Sequence, residues 1–448
     1  MKQDDSRTMA HLLSKYQLLD RNSVWHPYTK HSSASAGLPV IVRGAGPYLY
    51  DMDGHRYLDA VSSWWACSLG HGNARVVEAI RKQAGMLQHS ILGNLSHPCA
   101  VELASKIVTL FTGGPRHVLF ASDGSSAVEA ALKIALQYWH NIGRSERCKF
   151  ASLRDAYHGD TLGAVSVGYL PEFHKPFKRS LFEVFQADSP CCASCHLASN
   201  TKTCSVECFD SMQSIITQHR RELAAVIVEP LCQGAAGMRI YSPKYLRKLA
   251  ALCRKHDILL IADEIAVGMG RTGRMFAFQH AGIDPDIVCI GKALSAGYLP
   301  ISATIVKKAI HDTFSDLPVD NTFYHGHTFS GNPIACAAAI ETLAVYEKEN
   351  IVENAARLGE TLADEMNQLT GLPGVSGIRC LGMIGAFEAQ NARQIRDRLL
   401  VHDRILIRPL GNTVYLMLPL TVTPDLIRTT VKALRKAIMA TNAKACQP

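Results

Sequence analysis

No uninterrupted apolar span in the 448 residues is long enough to cross a bilayer. The opening stretch, 1–20, carries Asp4, Asp5, Lys15 and Asp20 where a signal peptide would have its apolar core. Membrane and secretory classes are therefore not expected, and a cytoplasmic location is. Lys/Arg-rich runs are also missing. The formal net charge of +8 comes from basic residues scattered among acids, which argues against a nucleic-acid arm and leaves solubility and a slight preference for anionic ligands. Internal repeats and low-complexity linkers are absent too. What remains, 47% hydrophobic and 19% charged, suits an ordinary globular protein with a substantial core and more than one domain.

Cysteine is not scarce. Most of the fourteen lie singly in apolar stretches, as Cys253, Cys289 and Cys336 do, where buried free thiols are expected. A reducing compartment fits this usage. Cys191, Cys192, Cys195, Cys204 and Cys208, with His196 among them, stand apart in one short polar stretch. Their spacing loosely resembles a zinc site, but the gaps match no standard finger, so the expectation is a thiol-rich surface insertion without metal.

The segment 47–60 reads as a hairpin, because Tyr48, Tyr50, Tyr57 and Leu58 flank the turn dipeptide Asp53-Gly54. From about His71 apolar strands alternate with amphipathic helices, the pattern of an α/β unit with a mainly parallel sheet. A strand is expected at 117–120, a helix at about 127–138, and interior strands at 224–228, 258–262 and 287–290. An alanine-rich helix follows Asn332-Pro333, with short strands near Ile405 and Tyr415 and a frayed tail over 440–448. The expected organisation is a small domain from both chain ends, 1–70 and 339–448, around a large domain, 71–338.

Two consecutive interior strands end in charge: Leu260-Ile261-Ala262-Asp263-Glu264 and Cys289-Ile290-Gly291-Lys292-Ala293. Ligands of open α/β sheets bind beyond the carboxyl ends of the strands. An acid and a lysine there can be a buried ion pair, or they can grip the two ends of pyridoxal phosphate, which needs a lysine amine and an acid beside its pyridine nitrogen. Taken alone, the structural pair is the more common case. Asp123-Gly124-Ser125-Ser126 lies between a strand and a helix, where backbone N–H groups and the helix dipole suit phosphate, although a plain N-cap looks the same. Tyr157-His158-Gly159-Asp160-Thr161 offers either an aromatic platform for a flat ring or a packed turn. The loop His325-Gly326-His327-Thr328-Phe329-Ser330-Gly331-Asn332-Pro333 can supply hydroxyl and backbone donors to phosphate.

Ala262-Asp263-Glu264-Ile265, Gly268, Arg271-Thr272-Gly273, Gly291-Lys292-Ala293-Leu294 and Thr328-Phe329-Ser330-Gly331-Asn332-Pro333 together resemble the class III aminotransferases. The resemblance implies the α/β architecture of fold type I pyridoxal-phosphate transferases, and a homodimer whose sites draw on both subunits. Trp25-His26-Pro27-Tyr28-Thr29, Ser62-Ser63-Trp64-Trp65-Ala66, Ile407-Arg408-Pro409 and Tyr415-Leu416-Met417 are similar to the branch of that class that aminates 8-amino-7-oxononanoate for biotin biosynthesis, with S-adenosylmethionine as expected donor. The similarity runs from about Ser23 to the late 430s.

By matching motif, Lys292 would form the Schiff base, Asp263 would contact the pyridine nitrogen, Tyr157 would cover the ring, and Gly124, Ser125 and a partner-supplied Thr328 would hold the phosphate. Tyr28, Trp64, Tyr157, Lys292 and Gly326 would line the substrate pocket, and Arg408 would grip the substrate carboxylate. A medium-chain apolar acid also calls for aromatic walls and a guanidinium on physical grounds. Trp64 and Trp65, if on a strand, would face opposite ways, so the bland reading of one is core. Two departures stand out. His327 replaces the family's usual proline, adding a candidate donor near phosphate, and Ser122-Asp123-Gly124 reorders the usual Asp-Ser-Gly while leaving Gly124-Ser125 intact. The rival readings are a lysine-using variant, another class III enzyme acting on ω-amino acids or polyamines, and a non-catalytic protein keeping the fold for binding.

Overall fold

The computed structural model describes residues 2–35, 38–195, 197 and 204–445. Its centre is a seven-stranded sheet, ordered Arg116–Ala121, Ser302–Lys307, Ile287–Ile290, Leu259–Asp263, Leu223–Val228, Lys149–Leu153 and Val184–Ala187. Ser302–Lys307 is antiparallel to both its neighbours, and the other pairings are parallel. Leu223–Val228 and Ile287–Ile290 are buried at every position, which is why both read as unbroken apolar runs rather than alternating ones.

The strand register builds the site. Leu259–Asp263 and Ile287–Ile290 pair in parallel with Asp263 opposite Cys289, so their carboxyl ends share one edge of the sheet. Asp263 closes one strand, and Lys292 lies two residues past the other. The helix Gly124–Asn141 starts just after the edge strand Arg116–Ala121, with the Asp123 carboxylate accepting from Ser126 N at 3.0 Å as its N-cap. Alanines 127, 130, 131 and 135 on its buried face let the helix lie close to the sheet, where Thr304 Oγ1 donates to Ala127 O at 2.7 Å.

Both chain ends meet in a second sheet. Ile41–Ala45, Tyr48–Asp51 and Arg56–Asp59 form a meander whose last strand takes Ile405–Leu406 as a parallel neighbour. The turn falls at Asp53-Gly54 as expected, with Gly54 in the left-handed region at φ 78°. A third sheet, Ser376–Leu381, Ile384–Glu388 and Thr413–Leu416, lies under the helix Ile351–Asn367, against which the helix Pro424–Ala445 packs.

Two features differ from expectation. The final helix continues to Ala445, so 440–445 are helical where a frayed tail was expected, and 446–448 lie outside the described residues. The alanine-rich helix expected after Asn332-Pro333 spans Pro333–Lys348. Ser62–Trp65, treated above as possible strand, is a tight turn with four successive left-handed residues at φ 48°, 45°, 67° and 73°. Left-handed backbone costs an L-residue roughly 1–2 kcal/mol, and neighbouring groups hold it: Ser62 Oγ donates to Met417 O at 2.6 Å and Ser63 Oγ to Asp59 Oδ2 at 2.7 Å. His196 lies outside the described residues. No helix among the described residues is long and apolar enough to cross a membrane.

Candidate active site

Asp263 is almost fully buried, and its carboxylate is held from two sides: His158 Nδ1 stands 2.7 Å from Oδ2, and Ile265 N donates to Oδ1 at 3.1 Å. The other nitrogen of His158, Nε2, is buried without a partner among the described residues. Lys292 begins a short turn with φ 43°, and its Nζ sits 5.2 Å from the Trp65 ring centroid. No hydrogen bond or ion pair engages that amine among the described residues. Burial pushes it below the ordinary lysine value, and the negative charges of Asp263 and Glu229 offset this only in part. The acid and the lysine therefore do not close on each other as a structural salt bridge. A buried amine of lowered pKa facing an anchored carboxylate suits covalent capture of a carbonyl group.

Glu229 follows the interior strand Leu223–Val228 and is buried as well. Its two oxygens accept from Tyr157 N at 3.1 Å and Gly234 N at 2.9 Å. Burial, reinforced by Asp263, raises its carboxyl to about 7 despite those donors and the nearby His158.

Tyr157 and Tyr28 share one acid. Tyr28 Oη donates to Asp160 Oδ1 at 2.5 Å, Tyr157 Oη donates to Oδ2 at 2.9 Å, and the two hydroxyls are 3.5 Å apart. Burial raises the Tyr28 phenol to about 12, helped by Asp160, and raises Tyr157 further still. Asp160 is itself raised by burial, but His174, with Nε2 3.5 Å away, and the hydrogen bonds from Tyr28 and Tyr157 outweigh that and keep it below the usual carboxylate value. Asp160 N in turn donates to Ser125 Oγ at 3.1 Å, tying this cluster to the start of the helix Gly124–Asn141. Close approach requires glycine there. A Cβ on Gly159, at φ 125°, would collide with Ser125, and one on Gly124 would press on Ile265 at 3.0 Å.

Beyond Tyr28 lies an aromatic wall ending in a cation. The Tyr28 ring meets Trp64 and Phe173 edge-on at centroid distances of 5.7 and 5.4 Å. Arg408 Cζ lies 4.1 Å from the Trp64 ring centroid and 5.7 Å from that of Tyr28, and Nη2 donates to Tyr28 O at 3.4 Å. No carboxylate pairs with Arg408 among the described residues. The left-handed turn separates the two tryptophans: Trp64 goes to this wall, and Trp65 goes beneath Lys292, where its Nε1 donates to Tyr415 Oη at 3.2 Å.

Lys292, Asp263, Tyr157, Gly124, Ser125, Tyr28, Trp64 and Arg408 thus form one connected region. Gly326, His327 and Thr328 do not join it within one chain. They lie on an exposed loop whose contacts are local or directed elsewhere: the Phe329 N–H donates to His327 Nδ1 at 3.1 Å, and Lys133 Nζ stands 3.1 Å from His325 Nδ1. His158, Asp160, Glu229 and Trp65 were not singled out from sequence. The first two lay inside a motif read only for its tyrosine, and Glu229 obeys the same strand-end rule that found Asp263.

A model of the family described as Aminotransferase class-III matches residues 30–438. The chain belongs to the class III aminotransferases. An adenosylmethionine-8-amino-7-oxononanoate aminotransferase from Nitratidesulfovibrio vulgaris is 39% identical over 444 residues, covering 95% of this chain and 82% of the relative. One of the same name from Geobacter sulfurreducens is 38% identical, covering 94% and 96%. Among solved structures, the enzyme of that name from Methanocaldococcus jannaschii superposes with a TM-score of 0.90 at 35% identity, covering 95% of this chain and 99% of that one. An omega transaminase from Pseudomonas jessenii, solved in complex with PMP, gives 0.88 at 31% identity, covering 95% and 97%. The α/β architecture is that of the fold type I transferases, and the rival of a non-catalytic binding protein finds no support in this company.

Proposed function

We propose that this aminotransferase carries an amino group to 8-amino-7-oxononanoate, giving 7,8-diaminononanoate for biotin biosynthesis, with S-adenosylmethionine as donor and pyridoxal phosphate as cofactor. The observation that carries the substrate assignment is Arg408, unpaired by any described acid and laid against Trp64 and Tyr28. An apolar chain lies along the aromatic wall while the guanidinium takes its carboxylate.

The residues fit the cofactor. Lys292 offers an unengaged amine, Asp263 an acid already oriented by His158, and Gly124 and Ser125 a helix N-terminus for phosphate, with the partner subunit's Thr328 and His327 as further donors in a homodimer. Pyridoxal phosphate, when bound, supplies an electron-withdrawing ring that accepts the negative charge left on carbon when a proton departs. Asp263 would serve as the acid that favours a protonated pyridine nitrogen, and His158 holds its carboxylate in place. Lys292, whose lowered pKa favours the neutral amine, would accept the proton leaving carbon, becoming an ammonium, and would then return it. Tyr157 covers the ring, with its backbone anchored by Glu229 and its hydroxyl by Asp160. The partner subunit's Gly326 completes the substrate pocket. We take 1–70 and 339–448 as one unit that brings Tyr28, Trp64 and Arg408 to the edge of the large unit, 71–338.

A donor and acceptor panel tests the reading. S-adenosylmethionine with 8-amino-7-oxononanoate should give 7,8-diaminononanoate, and product from lysine alone would reassign the donor. Turnover of ω-amino acids or polyamines in place of the keto-acid would reject the substrate.

A further inference from the structure

We infer that the cysteine-bearing excursion after the strand Val184–Ala187 is a structural zinc site, with Cys192, Cys195, Cys204 and Cys208 as ligands. The sequence expectation was a surface insertion without metal, since the spacing fits no standard finger. In the folded chain these cysteines line one cavity of about 460 Å³, bounded on its inner side by Tyr241 and Tyr245.

The choice of four among five follows from their surroundings. All five line the cavity beside Tyr241 and Tyr245. Cys191 also lines a second cavity on the other side of the excursion, with Gly377 and Arg379, and it influences buried Cys232. The remaining pattern is C-x2-C followed by C-x3-C, two short chelating pairs. Each pair sits on or beside a single turn of helix, Cys192–Ser194 and Glu207–Phe209, so each can present two sulfurs to one point.

Four part-buried thiols around one cavity are a donor set that a soft divalent cation can hold together. Zinc does so directly: one Zn2+ binds four sulfurs, four protons leave, and a tetrahedral site of net charge −2 results. Both signs of charge border the site: Asp188, Glu207 and Asp210 line the cavity, with Cys204 Sγ 3.7 Å from Glu207 Oε2, and cations lie beside them. Lys248 Nζ donates to Ser205 O at 2.8 Å, Lys244 Nζ to Cys204 O at 3.4 Å, and Arg239 lines the cavity. No three of these sulfurs stand within 4.8 Å of one another, so binding draws them inward. The role is structural. Ser189 Oγ donates to Gln233 at the base of the excursion, and the neighbouring Gly234 N holds Glu229, so pinning the excursion steadies the backing of Tyr157.

The test is metal content of the full-length, cofactor-loaded protein prepared without chelator or metal-affinity resin. About one zinc per chain is expected, retained in Cys191→Ser and lost in the double variant Cys195→Ser/Cys208→Ser. Should that variant fail to fold, X-ray absorption at the zinc edge of the wild type decides: sulfur scatterers at about 2.3 Å support the site, whereas nitrogen and oxygen scatterers overturn it. Wild-type protein that takes up no zinc when incubated with zinc chloride and dialysed also overturns it. So do thiols that react with Ellman's reagent equally fast with and without zinc.

Discussion

Asp263 and Lys292 are suited to the different roles proposed for them by what each is given. Asp263 receives two donors and is fixed, while Lys292 receives none and stays available. Replacing Lys292 with alanine should abolish turnover and the visible band of the lysine-bound cofactor while leaving the fold intact, as far-ultraviolet circular dichroism would report. Asp263→Asn should lower kcat by on the order of 10²–10³-fold with some cofactor retained, because a charge placed for the transition state is gone. Glu229 yields a pH prediction. Its carboxyl, raised to about 7, is charged above that pH and stabilises the protonated form of Lys292. In Glu229→Gln that stabilisation is lost, so the Lys292 amine should become neutral at lower pH. The rate at which apoprotein captures pyridoxal phosphate should then rise at lower pH than in the wild type, and an unchanged pH profile would reject the coupling. Arg408→Ala should raise KM for the keto-acid roughly 10- to 100-fold, the worth of one charge-assisted carboxylate contact, without altering the donor half-reaction. Asp263 and Lys292 were legible in the sequence because each follows an apolar strand with a charge. Their orienting groups were not, because His158 reaches Asp263 across 105 positions, a pairing only the folded sheet creates.

At the scale of elements, the helix Gly124–Asn141 begins at the end of the site proposed to take phosphate. Asp123 caps it, so Asp123→Ala should cost about 1 kcal/mol in urea unfolding. The strand pattern was readable wherever burial on both faces made it continuous, as in Leu223–Val228 and Ile287–Ile290. The turn Ser62–Trp65 was not readable, because four left-handed non-glycine residues run against local preference and persist only through contacts such as Ser62 with Met417, 355 positions away. That turn gives two adjacent tryptophans separate duties, which no strand or helix periodicity predicts.

For the whole molecule, the loop carrying Gly326, His327 and Thr328 lies exposed and apart from its own chain's Lys292, which supports a site completed by a second copy. Mixing Lys292→Ala subunits with subunits altered at Thr328 should then restore part of the lost activity, because one site of each mixed dimer takes an intact lysine and an intact threonine. Independent sites would show no rescue. The family was legible from motifs spread along the chain, while the meeting of the two chain ends at Arg56–Asp59 and Ile405–Leu406 depends on a pairing some 350 positions apart and carries no local signal.

The most direct test of the central claim is the absorbance of the cofactor-loaded protein through one full cycle. S-adenosylmethionine should bleach the visible band, and 8-amino-7-oxononanoate added afterwards should restore it with 7,8-diaminononanoate released in equal amount. A band that S-adenosylmethionine leaves untouched, or that the keto-acid fails to restore, would contradict the account.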